Sequence, residues 1–286
     1  MRANQKEVPR VAYPPLRIGI LNLMHDRAAT RSRFEYVLQQ ANIAVQTEFF
    51  YPVSHYCQRA VPVSVQALAA PLSEIELAKL DGFIITGAPI EHLAFCQVDY
   101  WAELQTLIDQ LVAHSLPQLY VCWGAMAALH HLYGIDKVAL PQKYFGVYAN
   151  QIYQSHPVLT GLPPTFWAPH ARYAEMNRRQ ILAHPALQLN AESVDHRLML
   201  VSNPRAQQLF LYAHLEYERE ALLAEYQREI TAHPEREYRQ PQHYFADPLT
   251  MQAPQFKWET TQRHFFNNWV TQIAQHKAAA HKEDLP

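Results

Sequence analysis

The 286-residue chain predicts an α/β domain on a mostly parallel sheet with helices on both faces. Two observations carry that prediction. Short continuous apolar runs, such as Gly-Phe-Ile-Ile-Thr at 82–86 and Gln-Leu-Tyr-Val-Cys at 118–122, read as strands buried on both sides. Between them lie segments whose apolar residues recur at helical spacing, as in Val98, Trp101, Leu104, Leu107, Ile108 and Leu111.

In chain order, Arg17 to Met24 is expected as a first strand. Thr30 to Ala41 follows as a helix with Phe34, Val37 and Leu38 on one face. Val45 to Phe50 is a second strand, Ser73 to Leu80 a helix, and Gly82 to Thr86 a strand that runs into Gly87-Ala88-Pro89. The helical repeat over 98–111 leads to the strand Gln118 to Cys122. A helix then runs from Ala125 to Tyr133, favoured by its alanines and leucines. From Lys143 onward the pattern shortens: strands are expected over Tyr144 to Ile152, Leu187 to Ser193 and Leu198 to Ser202, joined by proline-bearing loops. Another buried strand starts at Gln207 and ends in His214-Leu215-Glu216, and Tyr217 to Ala232 reads as helix. Residues 233–257, rich in Pro, His and Gln, read as a loop or arm, and Phe265, Phe266, Trp269, Val270 and Ile273 as a last amphipathic helix. A single α/β domain is thus expected over residues 16–275, between an N-terminal tail, 1–15, and a C-terminal tail, 276–286, frayed over its last ten residues.

Composition narrows the function. No segment approaches eighteen consecutive apolar residues, so a soluble protein is expected. Residues 1–15 are polar and proline-bearing, which argues against a secretory signal. A net charge of -2 gives no reason to expect nucleic acid or an anionic membrane as partner. Three widely spaced cysteines form neither a disulfide framework nor a zinc pattern, and a cytoplasmic location is expected. Seven glycines include no Gly-x-Gly-x-x-Gly and no Gly-Lys-Ser loop, which disfavours nicotinamide and ATP chemistry. The histidines show no His-Glu-x-x-His, so no metal is assigned, and no cofactor is expected.

Cys122 closes one apolar strand and opens the helix that begins Trp123-Gly124-Ala125. A cysteine at such a turn faces helix N-terminal N–H groups, and these with the helix dipole favour a thiolate. A lone cysteine there is also commonly a small buried hydrophobe. His214 and Glu216, two apart on an extended chain, project to one side. Together the three supply nucleophile, base and orienting carboxylate. Gly87-Ala88-Pro89, Cys122 and His214 all stand at strand carboxyl ends, where open α/β sheets bind ligands.

Taken together, Leu21-Asn22-Leu23-Met24, Ile85-Thr86-Gly87-Ala88-Pro89, Val121-Cys122-Trp123-Gly124-Ala125, Leu132-Tyr133-Gly134-Ile135, Ala168-Pro169-His170 and His214-Leu215-Glu216-Tyr217 resemble the homoserine O-acyltransferase (homoserine transsuccinylase-like) family. The resemblance runs over about residues 16–272 in order. It implies a flavodoxin-like, class I glutamine amidotransferase-like fold and transfer of an acyl group from CoA, through an acyl-cysteine, to an amino acid's side-chain hydroxyl. It makes Cys122 the acylated nucleophile, His214 the general base and Glu216 its partner. Lys143 and Arg228 match positions that contact the amino-acid substrate. The backbone N–H of Trp123 is the natural oxyanion donor, with the second donor unassigned.

Glu91, two residues after Gly-Ala-Pro, stands where the resemblance separates succinyl users, with glycine, from acetyl users, with glutamate. Two like charges ~4 Å apart at an effective dielectric of 20 repel by roughly 4 kcal/mol, enough to reject succinyl's carboxylate. Acetyl-CoA is therefore the expected co-substrate. Departures fall at the acceptor: Pro169-His170-Ala171-Arg172-Tyr173 has Ala171 where the family commonly has a serine that contacts homoserine, and His25 follows Met24 where it commonly has proline. Homoserine and serine differ by one methylene, worth about 1–3 kcal/mol in a pocket, so few changes could switch them. L-serine (cysteine biosynthesis) is ranked slightly ahead of L-homoserine (methionine biosynthesis). A succinyl donor, a glutamine amidotransferase-like hydrolase and a non-catalytic binding protein rank lower. The oligomeric state is left open, a homodimer included.

Overall fold

The computed structural model describes residues 15–283, with side chains through residue 280. The expected N-terminal tail, save Pro15, and the last three residues lie outside the described residues. The strands are β1 (Leu16–Leu21), β2 (Val45–Tyr51), β3 (Ala70–Pro71), β4 (Gly82–Ile85), β5 (Gln118–Val121), β6 (Lys137–Ile152), β7 (Thr165–Met176), β8 (Gln188–Ser193), β9 (Leu198–Asn203), β10 (Gln208–Leu211), β11 (Phe245–Asp247) and β12 (Gln252–Pro254). The helices are α1 (Arg27–Gln39), α2 (Val63–Gln66), α3 (Trp101–Ala113), α4 (Trp123–Tyr133), α5 (Arg178–Ala183), α6 (Ala221–Ala232) and α7 (Glu259–Glu283).

Ten strands form one sheet in the order β3-β2-β1-β4-β5-β10-β9-β8-β6-β7. From β3 to β10 neighbours are parallel; from β10 to β7 they are antiparallel. The parallel half is the one the apolar runs predict. All four residues of β4 and of β5 are buried, as strands covered on both faces must be. The pleat sets the two faces: a Cβ on Gly82 would lie 2.8 Å from Ile273 of α7, while Ile85, on the opposite face, meets Gly124 of α4. Helices α1 and α7 pack on the first side, with Phe34 edge-on to Phe266, and α3 and α4 on the second.

Several boundaries differ from the expected ones. The segment expected as a helix over Ser73 to Leu80 is two 3-10 turns, Leu72–Glu74 and Leu77–Lys79. Ile75 between them is extended, and Leu72, Leu77 and Leu80 are all buried. An extended link spaces those leucines as a helix would in sequence. Strand β7 has no counterpart in the sequence reading. Helix α6 starts at Ala221 rather than Tyr217: in the turn before it Glu216 bonds to His214, Tyr217 to Glu225 and Glu218 to Arg33 of α1. Helix α7 continues to Glu283, past residue 275, and Lys277 on it pairs with Asp81 at 2.8 Å. The arm over 233–257 carries the small β11–β12 hairpin.

Candidate active site

The order of the parallel strands reverses between β1 and β4, and the ends of β1, β4, β5 and β10 open together on one edge. Cys122 joins β5 to α4 with φ 49° and ψ -111°, a conformation that non-glycine residues rarely adopt. Its N–H donates to Leu211 O at 2.7 Å and its C=O accepts from Met126 N at 3.1 Å. The elbow thus belongs to sheet and helix at once, and its side chain is thrust past the sheet edge. Two glycines permit it. A Cβ on Gly124 would lie 2.7 Å from Thr86 O and 2.8 Å from Ile85 O, so α4 can approach β4 only without one. A Cβ on Gly87 would lie 3.3 Å from Cys122 Cβ and 3.6 Å from His214 Cε1, leaving no slack between the two.

His214 lies beyond the end of β10 at Leu211, in a turn closed by Tyr217 N–H to its own C=O at 3.1 Å. The extended strand expected through Glu216 is therefore absent, yet the two side chains still meet. His214 Nδ1–H donates to Glu216 Oε1 at 2.7 Å, and both residues are buried. Strand β7 binds the site together: His214 N–H donates to Pro169 O at 2.9 Å, and the Cys122 thiol points at Ala171 O, 4.0 Å away. His214 Nε2 has no hydrogen-bond partner among the described residues. Burial is the largest influence on His214 and lowers its pKa. The charge of Glu216, then that of Cys122, and the hydrogen bond to Glu216 outweigh it, so the imidazole titrates well above its ordinary value. The arrangement favours a protonated imidazole beside the Cys122 sulfur. The adjacent His170 is held well below its ordinary value by burial, then by Arg172 and His214, and stays neutral.

A cavity of about 1470 Å³ opens over these groups. Cys122 and His214 line it, as do Glu91, Lys143, Ala171 and Arg228. Six sequence-derived site residues therefore share one space, with Glu216 behind His214 and the Trp123 N–H at the start of α4. Among the described residues, no three His, Cys, Asp or Glu side chains gather as a metal would require.

Glu91 is half-buried, and desolvation raises its carboxyl above the ordinary value against the opposing charge of Lys143. Lys143 is buried between two carboxylates of α6, Glu225 Oε1 at 2.5 Å and Glu229 Oε1 at 2.6 Å. Burial would lower its pKa; the two glutamates reverse that and hold it raised. Arg228, on the same helix, is exposed.

Residues outside the sequence reading complete the site. The Tyr217 ring stacks on the His214 imidazole, with centroids 4.5 Å apart and planes 23° apart, while its hydroxyl donates to Glu225 Oε2 at 3.0 Å. Arg33 also lies over Tyr217, 4.9 Å from the ring centroid, and grips Glu218 with two bonds of 2.6 and 2.9 Å. One aromatic side chain thus joins the imidazole to the α6 carboxylates. The Glu225-x-x-x-Glu229 spacing, one helical turn, was the available signal for the pair.

The profile of the homoserine O-succinyltransferase family matches residues 1–279. The chain belongs to that family. By that membership it is an enzyme, an O-acyltransferase acting on small molecules. A protein named serine O-acetyltransferase from Lacticaseibacillus casei is 47% identical over 267 residues, covering 93% of this chain and 98% of that one. Another of that name, from Lactobacillus acidophilus, is 44% identical over 263 residues, 92% of this chain and 97% of its own. A homoserine O-acetyltransferase from Thermotoga neapolitana is 34% identical over 271 residues, 95% of this chain and 88% of its own. Among solved structures, a glutamine amidotransferase from Thermotoga maritima superposes with a TM-score of 0.63 at 10% identity, covering 92% of this chain and 100% of that one. That likeness concerns the fold, which is the amidotransferase-like α/β fold the motifs imply. Among the described residues, no helix is long and apolar enough to cross a membrane.

Proposed function

We propose that this protein transfers an acetyl group from acetyl-CoA, through a thioester on Cys122, to the side-chain hydroxyl of L-serine. The observation that carries the reading is the Cys122 elbow and the His214–Glu216 pair opening on one cavity with Glu91 in its wall. The Cys122 thiolate attacks the thioester carbonyl, and the tetrahedral oxyanion is received by the Trp123 N–H at the start of α4. The C–S bond to CoA breaks and the departing thiolate takes the proton from His214. One thioester has replaced another at little thermodynamic cost. The serine hydroxyl then attacks the acetyl-cysteine, giving its proton to His214, and collapse expels the Cys122 thiolate. Glu216 holds the imidazole in the tautomer that both steps need.

Arg228 is the candidate partner for the acceptor's carboxylate. The carboxylates flanking Lys143 leave a surplus of negative charge for its ammonium, which gives Lys143 an indirect part in acceptor binding. Glu91 disfavours a succinyl tail by charge. Ala171, in the cavity wall, offers the acceptor no hydroxyl. The serine assignment draws further support from the names of the relatives at 47% and 44% identity, and the homoserine alternative from the name of the one at 34%. The reading locates the reaction in the cytoplasm, at the entry to cysteine synthesis.

Its test is release of free CoA from acetyl-CoA by the purified protein, with L-serine and L-homoserine compared side by side. The expected result is a higher kcat/KM for serine, by about tenfold or more. Equal or better turnover of homoserine would overturn the serine assignment and leave the acetyltransferase reading standing.

A further inference from the structure

The cavity exceeds what an acetyl group and a small amino acid require. At about 1470 Å³ it is larger than most pockets for drug-sized ligands. Its charge is also divided. Near the catalytic pair, Lys143 is neutralised by Glu225 and Glu229, so the floor carries a negative surplus. Over the rest of the lining the balance reverses: Lys137, Arg228, Arg236 and Arg239 outnumber the remaining carboxylates, Glu91 and Glu237.

Arg236 and Arg239 stand on the segment 233–241, and both are exposed. The segment is anchored at each end. His233 N–H donates to Glu229 O at 3.1 Å, closing α6, and Arg236 N–H turns back to His233 O at 3.0 Å. At the far end Gln242 N–H donates to Phe145 O at 2.9 Å, and Val147 N–H to Gln242 O at 2.8 Å. The chains approach so closely there that a Cβ on Gly146, at φ 141°, would lie 2.3 Å from Gln242 O. This glycine lets the arm lie along β6 and hold its arginines at the cavity rim. Arg236 is paired only loosely, with the exposed Glu235 at 3.5 Å, so its guanidinium remains available to a ligand.

We propose that the arm is a phosphate-binding clamp, in which Arg236 and Arg239 hold the phosphates of the donor's coenzyme A moiety while the pantetheine thioester reaches down to Cys122. Guanidinium groups suit this role because their fork of N–H donors matches phosphate oxygens. Division of charge then sorts the two substrates: polyanion at the mouth, ammonium at the floor. The proposal rests on the acyl-CoA reading above.

The test compares two donors, acetyl-CoA and S-acetylpantetheine, which carries the same thioester and no phosphate. With the double variant Arg236→Gln, Arg239→Gln, kcat/KM for acetyl-CoA is expected to fall about tenfold or more, through KM. S-acetylpantetheine should be used as well by the variant as by the wild type, and the KM for the amino acid should not move. Added salt should raise the wild-type KM for acetyl-CoA and leave that for S-acetylpantetheine unchanged. An equal fall with both donors would reveal a merely structural arm, and an unchanged acetyl-CoA KM would remove the clamp. If the wild type released thiol from neither donor, the acyl-transfer reading itself would fail, a result separate from any difference between variants.

Discussion

Glu216 reaches the chemistry only through His214, so removing its charge while keeping its shape should show in the pH profile. With Glu216 in place, His214 stays protonated to a pH well above its ordinary value. The acylation step needs imidazolium to protonate the departing CoA, and it weakens as pH rises through that raised value. In Glu216→Gln the raising influence is lost, so the alkaline limb of the CoA-release burst should move to lower pH, with a rate loss of about a hundredfold. An unmoved limb would show that Glu216 does not set the base. Glu91→Gly tests the acyl pocket: kcat/KM for succinyl-CoA should rise at least about tenfold relative to acetyl-CoA. Burial holds the Glu91 carboxyl above its ordinary value, so the wild type's rejection of succinyl-CoA should weaken as pH falls, and sooner than for an exposed glutamate. At this scale the grouping of Cys122, His214 and Glu216 was legible, because few residue types suit a nucleophile, a base and an orienting carboxylate. Tyr217, Arg33 and Glu225 were not, because a tyrosine after a catalytic motif or an arginine on an amphipathic helix has no pattern that distinguishes it from surface.

Two elements depend on single glycines. Gly124→Ala drives a methyl into Thr86 O and Ile85 O, so α4 must shift off the sheet and carry Cys122 with it. A stability loss of about 1–3 kcal/mol in urea titration is expected, with activity falling further than stability accounts for. Gly146→Ala should strain β6 as well as the arm, because its φ of 141° is one that alanine rarely adopts and its Cβ meets the backbone at Gln242. Limited proteolysis should cut within 233–241 sooner, and the thermal midpoint should fall with it; an arm cut no sooner than in the wild type would contradict this. The parallel strands were legible because a strand covered on both faces is apolar throughout. Strand β7 was not, since Pro169, His170 and Arg172 interrupt any alternation. Yet His170 and Arg172 are fully buried: Arg172 donates to His170 Nδ1 at 2.7 Å, Glu175 Oε2 at 3.0 Å and Leu198 O at 2.9 Å. Polar residues satisfied partly by carbonyls distant in sequence, as Arg172 is by Leu198 O, look like loop residues until those strands are in place.

Across the whole molecule, a parallel half-sheet provides the edge at which Cys122 and His214 meet, and the antiparallel half folds back so that β7 closes the wall. Helix α7 clamps the first face of the sheet through Phe265, Phe266, Trp269 and Ile273, all buried. Trp269→Ala should cost about 3–5 kcal/mol in equilibrium unfolding without altering the serine-to-homoserine preference of the fraction that remains folded. The fold class could be read from apolar periodicity alone, but the cavity could not, because its wall is assembled from the segments after β1 and β4, the start of β6, part of β7, the later part of α6 and the arm. Acyl transfer through Cys122 would be seen by intact-protein mass spectrometry. Incubated with acetyl-CoA and no acceptor, the wild type should gain the mass of one acetyl group, map it to Cys122, and lose it when L-serine is added. A protein that stayed unmodified, or that was acetylated elsewhere with Cys122→Ala equally active, would contradict the account.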